Sequence, residues 1–220
     1  MNKDLTLPAG QTTTDLIADA LRAAIVEGLF FAGQELTQEE LAGQFGVSRV
    51  PLREAMRRLE AEGLISFLAN RGAFVTELSC DDVKEIYQLR MLIEGDLIYR
   101  SVRALAPIDL RKAESIHDAL GREKEPKVQN ALNRAFHSAL YAPARRPKQQ
   151  AIVNNLRNLV ERYHDVNRLL MASTLDFQVD HKKILAACRQ KNARKARALL
   201  VKHLEKAMKV ACKQLNNRKV

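Results

Sequence analysis

Residues 41–63 read Leu-Ala-Gly-Gln-Phe-Gly-Val-Ser-Arg-Val-Pro-Leu-Arg-Glu-Ala-Met-Arg-Arg-Leu-Glu-Ala-Glu-Gly. The stretch predicts the end of a short helix, a tight turn at Gly46 and a second helix. Ser48 stands at the N-cap, where a hydroxyl can accept from an orphaned backbone N–H. Pro51 falls in the first turn, where its missing N–H costs little. Leu52, Met56 and Leu59 lie three and four apart, with Ala55 beside them, and define a buried stripe. Gly63 supplies the C-terminal stop. On the other side Arg49, Arg53 and Arg57 recur every four residues. A helix that presents Arg from its first turn suits the DNA major groove, because one guanidinium can bond two acceptors on guanine.

The flanks complete a unit. Thr37 and Glu40 predict a capping box for the preceding helix, roughly 38–45. Leu16, Ile17, Ala20, Leu21, Ala24 and Ile25 keep helical spacing in a first helix from about Thr14 to Gly28, and Gly28 and Gly33 bracket a turn. After Gly63, Leu64–Leu68 and Ala73–Glu77 read as short strands joined by a turn at Ala69-Asn70-Arg71-Gly72. Helix, turn, helix and a small β-hairpin with Arg71 and Gly72 at its tip make a winged helix-turn-helix. Arg57 and Arg58, further along the helix, are expected to meet phosphate or solvent.

Val-Ser-Arg-Val-Pro-Leu-Arg-Glu-Ala-Met-Arg-Arg-Leu-Glu-Ala-Glu-Gly-Leu-Ile, followed by Asn-Arg-Gly-Ala-Phe-Val, resembles the DNA-binding domain of the GntR family of bacterial transcription regulators. The resemblance implies DNA contacts from Ser48, Arg49, Arg53, Arg57, Arg71 and Gly72. Glu39 stands where relatives often carry an Arg that helps to hold DNA, and an acidic group near phosphate is unfavourable.

Composition sets outer bounds. The 220 residues carry a net charge of +10, yet residues 1–78 hold seven Lys and Arg against eleven Asp and Glu, leaving 29 against 15 in the remainder. The overall excess therefore does not locate a DNA site; the ordered Arg ridge does. No apolar run is long enough for a membrane span and the N-terminus is not signal-like, so a cytoplasmic chain with no membrane partner is expected. Cys80, Cys188 and Cys212 lie far apart, which predicts three reduced thiols rather than a disulfide frame.

From about residue 79 the pattern is helical throughout. Ser79-Cys80-Asp81-Asp82 predicts a helix start, and helices follow over about 80–105, 108–122, 126–141, 148–172, 175–190 and 193–216. The expected fold is thus mainly α: a winged helix-turn-helix over 1–78 and an all-α six-helix bundle over 79–220. Asn133 and His137 lie one turn apart on one helix. His181 and His203 are equidistant from residue 192, the turn between the last two helices, so an antiparallel hairpin sets them side by side. If the helix bearing His137 packs against that pair, three imidazoles and an amide oxygen converge. Such a set suits a divalent transition metal such as Zn or Ni. Histidines on helices are more often surface or satisfied core groups, and His117 and His164 are read that way.

This pattern resembles the GntR branch with an all-α effector domain, named FCD, which includes the fatty-acid and vanillate regulators. That branch commonly carries an Asp four residues before a Phe-His, then a His on each of the last two helices. Asn133-Arg134-Ala135-Phe136-His137, His181 and His203 match at all three His, with Asn133 where Asp is more usual. Arg90 matches a frequent Arg of the branch and is expected to face the effector; a salt bridge to Glu94 or Glu85 is the competing role. The resemblance implies a homodimeric repressor that leaves a palindromic double-stranded DNA operator when a small organic acid binds at the metal. Two alternatives remain open: a metal-dependent hydrolase fused to a helix-turn-helix, and an architectural DNA binder without effector. No Glu lies beside the candidate ligands as a general base, so an enzyme is not expected.

Overall fold

The computed structural model describes residues 12–69, 71–161 and 174–217. Within them the chain forms two compact units that meet in sequence at Leu78 and Ser79. The turn residue Asn70, His164 and the last part of the helix expected over 148–172 lie outside the described residues.

The first unit contains α1 (Thr13–Val26), β1 (Glu35–Leu36), α2 (Gln38–Phe45), α3 (Arg49–Ala61), β2 (Ile65–Leu68) and β3 (Gly72–Val75). The apolar stripes of the three helices close on one core. Ile17, Leu21, Leu41, Leu52, Met56 and Leu59 are all buried there, with Ile65, Ala73 and Val75 from the sheet. Gly46 ends α2 at φ 64° and Gly63 follows α3 at φ 69°; both turns need the left-handed region that glycine enters without steric cost. The hairpin pairs Ile65 with Val75 and Leu68 with Gly72.

Two local expectations fail. Thr37 occupies the N-cap of α2 but its side chain makes no capping bond, and Ser48, the N-cap of α3, makes none either. A third strand was not foreseen. β1 pairs antiparallel with β3, Leu36 opposite Ala73, giving the order β1-β3-β2. Two residues carry too little alternation to announce a strand, and this one exists because β3 offers it an edge.

The second unit contains α4 (Cys80–Ala104), α5 (Pro107–Arg122), α6 (Pro126–Tyr141), a 3-10 turn (Ala142–Ala144), α7 (Pro147–Glu161), α8 (Thr174–Arg189) and α9 (Ala193–Asn217). Six α-helices and no strand occur among its described residues. Ser79 opens α4 with a complete capping box: its hydroxyl accepts from the Asp82 N–H at 3.0 Å, and the Asp82 carboxylate accepts from the Ser79 N–H at 2.9 Å. Ser79→Ala removes one side of that exchange, and a loss of about 1 kcal/mol is expected in urea unfolding of the chain.

The first and last helices of this unit run antiparallel. Gly95 of α4 faces Arg197 and Val201 of α9, and at the other end Cys80 is joined to Cys212 by a disulfide. This corrects the expectation of three reduced thiols. Sequence spacing does not show the pairing, because 132 residues separate two cysteines that the helix packing brings to a Cα–Cα distance of 4.9 Å. Cys188 is free and buried, and burial pushes its thiol up to about 12.

Candidate DNA-reading face and buried histidine centre

α3 buries Leu52, Ala55, Met56 and Leu59 completely, which turns Arg49, Arg53 and Arg57 outward. The three are not equivalent. The Arg49 guanidinium lies 3.2 Å from the Glu39 carboxylate, with the two side chains 67% and 79% exposed. Arg53 is exposed. Arg57 lies 3.7 Å from Glu60 and 5.7 Å from the centre of the Phe67 ring. Arg58, expected at phosphate or in solvent, is instead ion-paired with Asp15 of α1. Arg71 sits at the wing tip over the Phe74 ring, 5.4 Å from its centre. Gly72 beside it has φ 96°, and a Cβ there would come within 3.2 Å of the Glu35 carboxylate. Val50, which the sequence reading passed over, is 68% exposed next to Arg49. Opposite the buried stripe, such a side chain has the apolar chemistry that meets a thymine methyl.

In the second unit the three histidines converge. His137 comes from α6, His181 from α8 and His203 from α9, and all are buried. One ligand nitrogen from each lies within 4.8 Å of the others. The ring centres are 4.8 Å apart for His181 and His203, 5.1 Å for His137 and His181, and 5.4 Å for His137 and His203. Neither ring nitrogen of His181 has a hydrogen-bond partner, nor does Nδ1 of His203. A buried polar atom left unpaired is costly, and a cluster of orphaned imidazole nitrogens is what a transition-metal site presents before its ion is bound. Burial holds all three rings well towards the neutral form, reinforced for His137 by Arg157 and for His181 by the nearby His203 ring, since two adjacent imidazoles resist being charged together; His203 falls to about 4. Neutral imidazole is the form that ligates. The residues present therefore fit a divalent metal.

Asn133 is half-buried one turn before His137 on α6. His117 is a buried neighbour, its ring centre 6.0 Å from that of His181. Its Nε2 lies 3.4 Å from the Gln178 carbonyl oxygen, in keeping with a satisfied core histidine.

Beside the histidines lies a charged network that the sequence reading saw only in part. Arg90 donates through Nε to Glu94 at 2.7 Å, which realises its competing role. Glu94 also accepts from Arg157 Nη2 at 2.8 Å and from the Tyr141 hydroxyl at 2.6 Å. That hydroxyl lies 3.2 Å from His137 Nδ1. Two guanidiniums thus share one fully buried carboxylate, leaving an excess of positive charge near the rings. Burial alone would raise the Glu94 carboxyl, but Arg157 and Arg90 outweigh it and hold it down at about 2. Arg157 was missed because a charged residue inside an amphipathic helix gives no sequence sign of being turned inward.

A winged helix-turn-helix joined in one chain to a helical unit with a buried histidine centre defines a DNA-binding transcription regulator. The family comparisons agree at both ends. Residues 13–75 match the bacterial regulatory proteins of the gntR family, and residues 85–206 match the FCD domain. The chain is 28% identical to the uncharacterized HTH-type transcriptional regulator YdhC of Bacillus subtilis, over 83% of this chain and 84% of that protein. It is 30% identical to the gluconate operon transcriptional repressor of the same organism, over 77% of each. The crystal structure of a GntR-family transcriptional regulator from Pseudomonas syringae pv. tomato matches with a TM-score of 0.56 and 32% identity, covering 94% of this chain and 87% of that one. The chain belongs to the GntR family of bacterial transcription regulators, in its FCD branch. These families are regulators and not enzymes. No helix among the described residues is long and apolar enough to cross a membrane.

Proposed function

We propose that this chain is a homodimeric repressor whose hold on a palindromic operator is released by a small organic acid bound at the histidine centre. The observation that carries the acid-binding part is the pairing of three buried imidazoles, two of them with unpartnered ring nitrogens, with two buried arginines that share a single carboxylate. His137, His181 and His203 would hold a divalent metal, Zn or Ni by ligand type, with Asn133 as a neutral fourth candidate. When bound, the ion supplies a cationic anchor with positions left for a carboxylate. Arg90 and Arg157 add positive charge on one side of the rings, and Glu94 fixes both guanidiniums in place. With neutral protein ligands throughout, the centre favours an anion over a neutral molecule. A relative named for repression of a gluconate operon supports both the acid and the negative sign of control. The effector would shift the population of the dimer away from the form that fits the operator, by the difference in its affinity for the two forms.

On the DNA side, Arg49 and Arg53 would reach base edges, with Ser48, Arg57, Arg71 and Gly72 holding the backbone. Twofold symmetry would place one winged unit on each half-site. Arg53→Ala is expected to cost about 1–3 kcal/mol in operator affinity and to relax preference at one position of each half-site. Fluorescence anisotropy on matched and single-substituted duplexes measures both. Unchanged affinity and preference would remove Arg53 from the reading face.

The whole reading is tested by purifying the protein without affinity tag or chelator, determining bound metal, and titrating organic acids while following operator binding. A protein that neither holds nor takes up a divalent ion, and whose DNA affinity no acid alters, would overturn the effector mechanism. The DNA-binding assignment would stand apart from that result.

A further inference from the structure

The reading face of α3 contains an anomaly. Glu39, in the first turn of α2, projects a carboxylate onto the same surface as Arg49, and the two form an ion pair at 3.2 Å with both side chains mostly in solvent. As a brace the pair has little value, since exposed ion pairs contribute little to stability. Nor do the helices need one: α2 and α3 are held by Leu41, Ala42, Leu52, Ala55 and Met56, all buried. Against phosphates a carboxylate is repelled, in a unit whose acidic residues already outnumber its basic ones. A carboxylate on a DNA-facing surface is favourable only where it meets a donor. In the major groove the donors are the exocyclic amines of cytosine and adenine, and a carboxylate pairs with the amine of cytosine.

We infer that Glu39 and Arg49 form a composite base reader, in which Arg49 donates to a guanine and Glu39 accepts from the exocyclic amine of a neighbouring cytosine. The proposal rests on α3 being the groove-reading helix. The ion pair serves twice: Glu39 orients the Arg49 guanidinium before DNA arrives, and the two groups then present a donor edge and an acceptor side by side. The departure from an arginine at this position thereby becomes a determinant of operator sequence rather than a lost contact.

Binding-site selection from a random duplex pool tests this, using the full-length wild-type protein and the variants Glu39→Ala and Glu39→Gln. Glu39 is exposed, so both variants should fold, and circular dichroism checks that they do. Wild type should select a guanine and, beside it, a cytosine preferred about tenfold over other bases. Glu39→Ala should keep the guanine, lose the cytosine preference and bind non-specific DNA more tightly. Glu39→Gln should move the preference from cytosine to adenine, whose edge an amide bonds in two places. A Glu39→Ala protein that selects the wild-type sequence and binds every site more tightly by the same factor would overturn the proposal, leaving Glu39 as a repulsive charge. A wild-type protein that selects no sequence would overturn the groove-reading assignment of α3, and the proposal with it.

Discussion

Glu94→Ala is expected to destabilise the helical unit by about 3–5 kcal/mol, seen as a large fall in the urea midpoint of its unfolding transition. Glu94 is fully buried and binds Arg90, Arg157 and Tyr141 at 2.6–2.8 Å. Removing it leaves two guanidiniums, 7% and 2% exposed, without their shared carboxylate. The cost is dominated by those uncompensated charges rather than by the lost pair itself. Glu94→Gln keeps the shape and an acceptor for the Tyr141 hydroxyl but not the charge, so it should fall between wild type and Glu94→Ala. The pH dependence follows from the depressed carboxyl. Its folded value of about 2 lies below the ordinary 4.5, so its contribution is complete above about pH 4.5 and is lost as pH falls through about 2. Both variants should lack that part of the acid transition. A Glu94→Ala midpoint indistinguishable from wild type would show that the arginines are satisfied without the carboxylate.

His181→Ala should lower divalent-metal affinity at least about 100-fold, judging from the 10–100-fold cost of altering even the groups that merely support a ligand. Operator binding by the same variant should be nearly unchanged, since His181 lies outside the winged unit. Calorimetric titration with Zn and Ni, beside anisotropy on the operator, reads both effects. Metal affinity equal to wild type would exclude His181 as a ligand. The histidines also set how the metal-free protein responds to acid. His203 titrates near 6.5 when unfolded and at about 4 when folded, a difference worth roughly 3 kcal/mol. Because the folded value is the lower one, this stabilisation is complete above pH 6.5 and is lost as pH falls from there towards 4. His137 and His181 shift in the same direction. Chelated wild-type protein should therefore lose thermal stability steeply between pH 6.5 and 4, and His181→Ala less so. Metal-loaded protein should melt higher at pH 7.5 and lose more of that advantage on acidification, since ligation needs neutral rings.

The features legible in the chain alone are local and periodic. The turn at Gly46, the stripe of Leu52, Met56 and Leu59, the outward arginines and the helix start at Ser79 depend on residues within a few positions of one another. Those relations survive in any fold that keeps the helices. The approach of His181 to His203 was also legible, because a helical hairpin is symmetric about its turn at residue 192.

The rest needed the tertiary structure. Helix packing decides which faces meet, and no residue records its partner across 63 positions, as Arg157 does not record Glu94. Cys80 and Cys212 pair only because α4 and α9 run antiparallel. The β1 strand exists only where β3 offers an edge. Arg58, expected at phosphate or in solvent, is held by Asp15, since the packing of α1 against α3 is set by the core and not by either helix alone. Arg90 turns inward to Glu94 because Arg157 and Tyr141 converge on the same carboxylate, and burying a charge is tolerable only where its counter-charges are already assembled.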